Sequence, residues 1–235
     1  MTAKNKNTKV ETIESVGEAV SKTEVFFKTY GKTLAYVGGG LVAIAAIIIL
    51  YIQFYANPLK QEAQAQTFTA EQYFRAEDYD KALNGDGNAL GFSQIIDEYG
   101  AKGGKAVYLY AGICQLQLGN AAEAIEYLNN YRTDDAILTA RAIACTGDAY
   151  SILENNAEAL KFYIQAADKV LSTSTSCSFN NVYAAAYLLK AGIICEEMGK
   201  PQEALVYYQR VKDNYPTTPE GYEIDKYITR IKVAE

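Results

Sequence analysis

The chain of 235 residues contains no histidine. That removes the usual general base at neutral pH, the serine and cysteine triads that lean on an imidazole, and the commonest zinc and haem ligand. Cysteine is scarce too: Cys114, Cys145, Cys177 and Cys195 show neither a CxxC pair nor zinc-ligand spacing. Three of them fall within apolar helical patterns, where a thiol behaves as a small hydrophobe; one structural disulfide is the competing reading. Positive charge is also short, with 22 Lys and Arg against 28 Asp and Glu and a formal net charge of −6. Neutralising phosphates takes clustered cations, so nucleic acid is not an expected partner. No nucleophile stands with a base, and Gly38–Gly40 and Gly103-Gly104 match no nucleotide motif. Asn84-Gly85-Asp86-Gly87-Asn88 suggests calcium, but the template's sixth and twelfth places hold Ala89 and Ile95 instead of glycine and glutamate. The expectation is a chain without enzymatic activity, cofactor or metal.

What is present is one long apolar run. Thr33 to Leu59 carries no charge and is bracketed by Lys32 and Lys60. Crossing a bilayer takes about 20 apolar residues, and lipid forces such a run to be helical. Tyr30 and Tyr36 precede its aliphatic centre and Tyr51, Phe54 and Tyr55 follow it, suiting the two headgroup zones. A cleaved signal peptide is the competitor, because Ala63-Gln64-Ala65 has the small-x-small form; the long polar leader and the length of the run argue against it. Six lysines (Lys4, Lys6, Lys9, Lys22, Lys28, Lys32) precede the run, whereas Lys60 stands alone until Arg75. The positive-inside rule then puts the N-terminus in the cytoplasm and exports the rest. The domains expected are a leader at 1–32, a span at 33–57 and an exported domain at 58–235.

In the leader, residues 1–9 read as disordered. Ile13, Val16, Val20 and Phe27 then recur at helical spacing opposite Glu14, Glu18, Lys22 and Lys28, which predicts an amphipathic helix. It serves as a docking helix for a cytoplasmic partner or as a simple interfacial lead-in. Within the span, Ala35, Gly39 and Ala43 share one face, where small residues let two spans approach; a tolerated glycine cluster is the alternative.

Beyond Lys60 the pattern is helical throughout, which predicts an all-α fold. Gln61 to Arg75 and Phe92 to Tyr99 read as helices. Three stretches then repeat: EAIEYL from Glu123, EALKFY from Glu158 and EALVYY from Glu203. Each alanine lies twelve residues after a glycine, pairing Gly112 with Ala124, Gly147 with Ala159 and Gly192 with Ala204. Four residues on come Leu128, Tyr163 and Tyr208. Small residues at that spacing suit two antiparallel helices crossing closely, with the bulky residue filling the layer between. The copies are spaced 35 and then 45 residues apart, and the surplus is expected as a polar insertion, Ser172 to Asn181. Ile224, Tyr227, Ile228 and Ile231 form one face of a final capping helix.

These copies resemble the tetratricopeptide repeat family, whose motif is W-x2-L-G-x2-Y, then A-x3-F, then P. The resemblance spans about Ala101 to Pro216, with Gln61 to Gly100 as a degenerate first copy. Tyr108, Ile143 and Leu188 replace the tryptophan, Ala111, Thr146 and Ala191 replace the leucine, and only Tyr150 and Pro216 keep the tyrosine and proline. The resemblance implies an all-α solenoid whose first helices form a concave, protein-binding face. That face would present Leu109, Ile113 and Leu116, then Arg141, Ala144, Asp148 and Ser151, then Leu189, Ile193 and Glu196. With one arginine it does not suit a carboxylate clamp; an apolar helix or extended segment fits better, unless the chain's own helices fill the groove. The whole layout resembles the YfgM family of bacterial inner-membrane proteins. That resemblance implies an ancillary subunit of the Sec translocon, partnered by translocon subunits and a membrane-anchored prolyl-isomerase-type periplasmic chaperone (PpiD). A generic scaffold for cell-wall or secretion-system assembly is the alternative.

Overall fold

The computed structural model describes the backbone of residues 4–172 and 178–234, and the side chains of 28–100, 102–172 and 181–233. Every regular element among the described residues is helical. The chain divides into two compact units, Met1–Pro58 and Leu59–Glu235.

The first unit is built on α1, Lys4–Tyr51, followed by a π-helical turn, Ile52–Ala56. Of the residues 1–9 expected to be disordered, 4–9 are helical; no glycine or proline interrupts the sequence there, so the helix extends outward from the apolar run, and residues 1–3 lie outside the described residues. The side chains of the expected amphipathic face lie outside the described residues. The apolar run is long and hydrophobic enough to cross a membrane, with a mean hydropathy of 2.3 and no buried residue in its best window. Its wide turn has a local cause. Pro58 offers no N–H and its ring crowds the carbonyl one turn back. The turn before it opens, and the Asn57 N–H donates to Ile52 O, five residues earlier.

The second unit contains α2 (Asn57–Arg75, whose first two residues belong to the first unit), α3 (Tyr79–Asn84), α4 (Phe92–Tyr99), α5 (Ala106–Gln117) and α6 (Ala121–Asn130). After them come α7 (Ala136–Ile152), α8 (Asn156–Leu171), α9 (Ser178–Glu197), α10 (Pro201–Asn214) and α11 (Pro219–Ala234). Successive helices pack as antiparallel pairs, α5 on α6, α7 on α8 and α9 on α10; α6 also meets α7, α8 meets α9, and α10 meets α11. Each pair therefore shares its apolar face with the next, as a stacked solenoid must.

One turn recurs between the helices of every pair. Glu77, Gly119, Glu154 and Gly199 all have positive φ, from 58° to 84°. Directly after each, a backbone N–H reaches back five residues: Asp78 to Tyr73 O, Asn120 to Gln115 O, Asn155 to Tyr150 O and Lys200 to Cys195 O, all at 2.8–3.0 Å. Five residues beyond each positive-φ position comes Ala82, Ala124, Ala159 or Ala204, all fully buried. The degenerate first copy is thereby a true first layer. Its second helix is broken into α3 and α4 by an insertion around Gly85–Gly91, held by Asp86. Asp86 accepts from the Asn88 and Ala89 N–H groups and from the Tyr73 hydroxyl at 2.7–2.9 Å.

The long interval before the last pair is filled differently from expectation. Ser178 to Asn181 form the first turn of α9, and α8 runs on to Leu171. Longer helices, not a loop alone, absorb the surplus. The remaining insertion residues, 173–177, lie outside the described residues.

Candidate functional site

The crossing points define the solenoid's geometry. A Cβ built on Gly112 would lie 2.6 Å from Leu128 Cγ; on Gly147, 2.9 Å from Tyr163 Cε1; on Gly192, 2.2 Å from Tyr208 Cε1. Ala124, Ala159 and Ala204 sit beside these contacts, buried. In the first layer the corresponding place is held by Ala70, buried as well.

The two buried tyrosines are tied to the candidate groove. The Tyr163 hydroxyl donates to Asp148 Oδ1 at 2.6 Å, and Lys190 of the next layer donates to the same oxygen at 2.6 Å. The Tyr208 hydroxyl donates to Glu196 Oε1 at 2.5 Å, and Arg230 of α11 donates to that oxygen at 2.6 Å. Burial, with a carboxylate beside each hydroxyl, pushes both phenols above their ordinary range, so they remain donors. The α7–α8 and α9–α10 layers thus each bind their own tyrosine and the helix that follows the layer through one carboxylate oxygen. Asp148 and Glu196 are committed to holding layers together.

The aliphatic part of the candidate groove is largely enclosed. Leu109 is 3% and Ile113 8% exposed, packed with Leu128, Tyr131 and Ala142, and Leu116 leans on the same cluster. Leu189 rests against the core of the last two layers, and Ile193 is half-buried. Of the ten groove candidates Arg141 alone is exposed. In the span, Ala35, Gly39 and Ala43 are all exposed, and a Cβ on Gly38, Gly39 or Gly40 would meet nothing within 4 Å.

Residues 106–135 and 186–218 match the tetratricopeptide repeat family, which covers α5–α6 with its following turn and most of α9–α10. The chain carries tetratricopeptide repeats. No curated protein matches the chain. Neither matched stretch includes α7–α8, although that layer shares the turn, the glycine and the buried alanine. Such repeats present surfaces to protein partners, so the chain is built for protein–protein interaction.

The repeats hold no metal constellation among the described residues. Asp86, the acidic centre of the calcium-like loop, spends its oxygens on Tyr73 and two backbone N–H groups. Those bonds, led by the Ala89 N–H, bring its carboxyl down to about 2. Cys114, Cys145 and Cys195 are free thiols. Burial raises Cys114 to about 12 and Cys145 to about 11, which leaves them protonated and unreactive at neutral pH. Cys177 lies outside the described residues.

Sequence reasoning missed two features here. Tyr73 occupies the motif's first tyrosine in the first layer, and Lys81-Ala82-Leu83 repeats the later Glu-Ala-Leu stretches. The signal was there, hidden by a layer interval lengthened to 42 residues between Ala82 and Ala124.

Proposed function

We propose that this protein is a non-enzymatic scaffold, anchored in the bacterial inner membrane by one span over residues 33–57. Its leader at 1–32 lies in the cytoplasm and its repeat domain at 58–235 in the periplasm. In this reading it is an ancillary subunit of the Sec translocon that helps hand emerging exported chains to a periplasmic chaperone of the PpiD type. The observation that carries the reading is one exposed apolar helix of membrane-crossing length in the same chain as a stack of tetratricopeptide repeats. The excess of lysine before the span supports the orientation. Ala35, Gly39 and Ala43 supply the face through which the anchor meets a translocon span, since small residues allow close helix approach in lipid.

The test is isolation of the full-length protein from native membranes in mild detergent, with mass spectrometry of what accompanies it. Translocon subunits together with a periplasmic chaperone are the expected company. Replacing Ala35, Gly39 and Ala43 by leucine should release the translocon subunits and leave the repeats folded. Recovery of cell-wall or secretion-system components in their place would refute the translocon role and favour a general envelope scaffold.

A further inference from the structure

Apart from the exposed Arg141, the candidate groove is largely enclosed or committed to layer contacts, so the accessible apolar surface has to be sought elsewhere. Leu118 is 39%, Ile152 51% and Leu153 48% exposed. Leu118 and Leu153 each stand just before the positive-φ residue of their turn, at the same place in consecutive layers, and Ile152 adjoins Leu153. Equivalent turns of stacked layers lie side by side, which sets these exposed aliphatic residues along one edge of the solenoid. Exposed aliphatics gathered along one edge, unlike scattered single ones, mark an interaction surface.

The surroundings of this edge specify its partner. Glu123, Glu154, Glu158, Glu197 and Glu203 all lie in or next to these turns. The cations nearby are already engaged: Lys161 bridges Glu158 at 2.9 Å and Lys200 bridges Glu203 at 3.3 Å. Glu123, Glu154 and Glu197 carry no ion pair among the described residues. Exposed aliphatics and surplus carboxylates together complement a segment whose large apolar side chains are flanked by lysine or arginine.

We propose that this turn edge, Leu118 with Ile152 and Leu153 flanked by Glu154 and Glu197, docks extended polypeptide segments of mixed apolar and basic character. The proposal rests on the scaffold reading above and names the class of client segment that the repeats take. Binding at the edge leaves Asp148 and Glu196 in their layer contacts, so no part of the solenoid has to open.

The test uses the full-length protein in nanodiscs of zwitterionic lipid, with empty nanodiscs as the blank. The probe is a fluorescent twelve-residue peptide in which leucine pairs alternate with lysine; its counterpart has glutamate for every lysine. The lysine peptide should bind at least tenfold more tightly than the glutamate peptide. The Ile152→Ser, Leu153→Ser double variant should weaken it at least tenfold. Glu154→Lys with Glu197→Lys should weaken it most at low salt, because screening removes a charge contribution. All substituted residues are surface-exposed, so unchanged thermal unfolding is expected and verifies that each variant is folded. Equal affinity of wild type and both variants, preference for the glutamate peptide, or no binding at all would overturn the proposal. Co-purification of translocon subunits with the wild type is read separately: its persistence beside unaltered peptide binding would discard the edge and keep the scaffold.

Discussion

The closest helix crossing gives the sharpest test of how the layers are built. Replacing Gly192 by alanine places a methyl carbon 2.2 Å from Tyr208 Cε1, far inside van der Waals contact. The ring has nowhere to go, because Tyr208 is fully buried and its hydroxyl is fixed to Glu196 at 2.5 Å. Overpacking of this kind costs about 1–3 kcal/mol. An approach of 2.2 Å to a fixed ring belongs in the upper part of that range, and alanine recovers up to about 1 kcal/mol of helix propensity over glycine, so the net loss should be about 1–2 kcal/mol. For a domain of this size that is a fall in melting temperature of about 2–8 °C, read by far-UV circular dichroism of the full-length protein in detergent. Gly147→Ala, whose nearest contact is 2.9 Å, should cost less. The control is the same substitution beside Tyr208→Val: with the ring gone, Gly192→Ala should become neutral or stabilising. A Gly192→Ala protein that melts at or above wild type would refute the crossing geometry.

Glu154 occupies the left-handed turn position that Gly119 and Gly199 hold in neighbouring layers. Glu154→Gly should therefore raise stability by about 0.5–1 kcal/mol in the same thermal assay, the relief of a side chain from that conformation outweighing glycine's entropy. Tyr208→Phe should destabilise by about 1–2 kcal/mol, having lost a bond to a charged acceptor while keeping the ring in place. Asp86 has its carboxyl lowered to about 2 in the fold from an ordinary 3.8. Its contribution is thus fully present above about pH 4 and lost as pH falls through 2, and Asp86→Asn should flatten that part of an acid-unfolding titration.

The all-α architecture was legible in the sequence because the glycine, alanine and bulky residue of each later copy answer to single helix crossings. What stayed hidden depends on partners far apart in the chain. Nothing local to Asp148 shows that Lys190, 42 residues away, will share its oxygen with Tyr163. Nothing local to Leu109 shows that Ala142 and Tyr131 will close over it. The candidate groove was read from one helix at a time, and a groove is decided by the next helix along. The first layer was obscured for a different reason: the insertion around Asp86 broke its second helix and lengthened the repeat, although the turn chemistry at Glu77 survived.

The same logic distinguishes α11 from the helices that open a layer. Aligning α11 on α9 by 34 residues, the family's interval, sets Tyr222, Asp225, Lys226 and Thr229 where Leu188, Ala191, Gly192 and Cys195 stand. Those four in α9 are buried, because they receive α10. Their counterparts in α11 are all exposed. Lys226 takes the glycine place, so no further helix can cross at the distance Gly192 allows, and Asp225 would bury a charge there. Lys226 instead bridges Glu223 on the surface of α11. The opposite side of α11 keeps the apolar face that the preceding layer needs, with Ile224, Ile228 and Ile231 buried. The position that licenses a crossing in three layers forbids one in the last, and that substitution makes α11 a cap in place of a fifth layer.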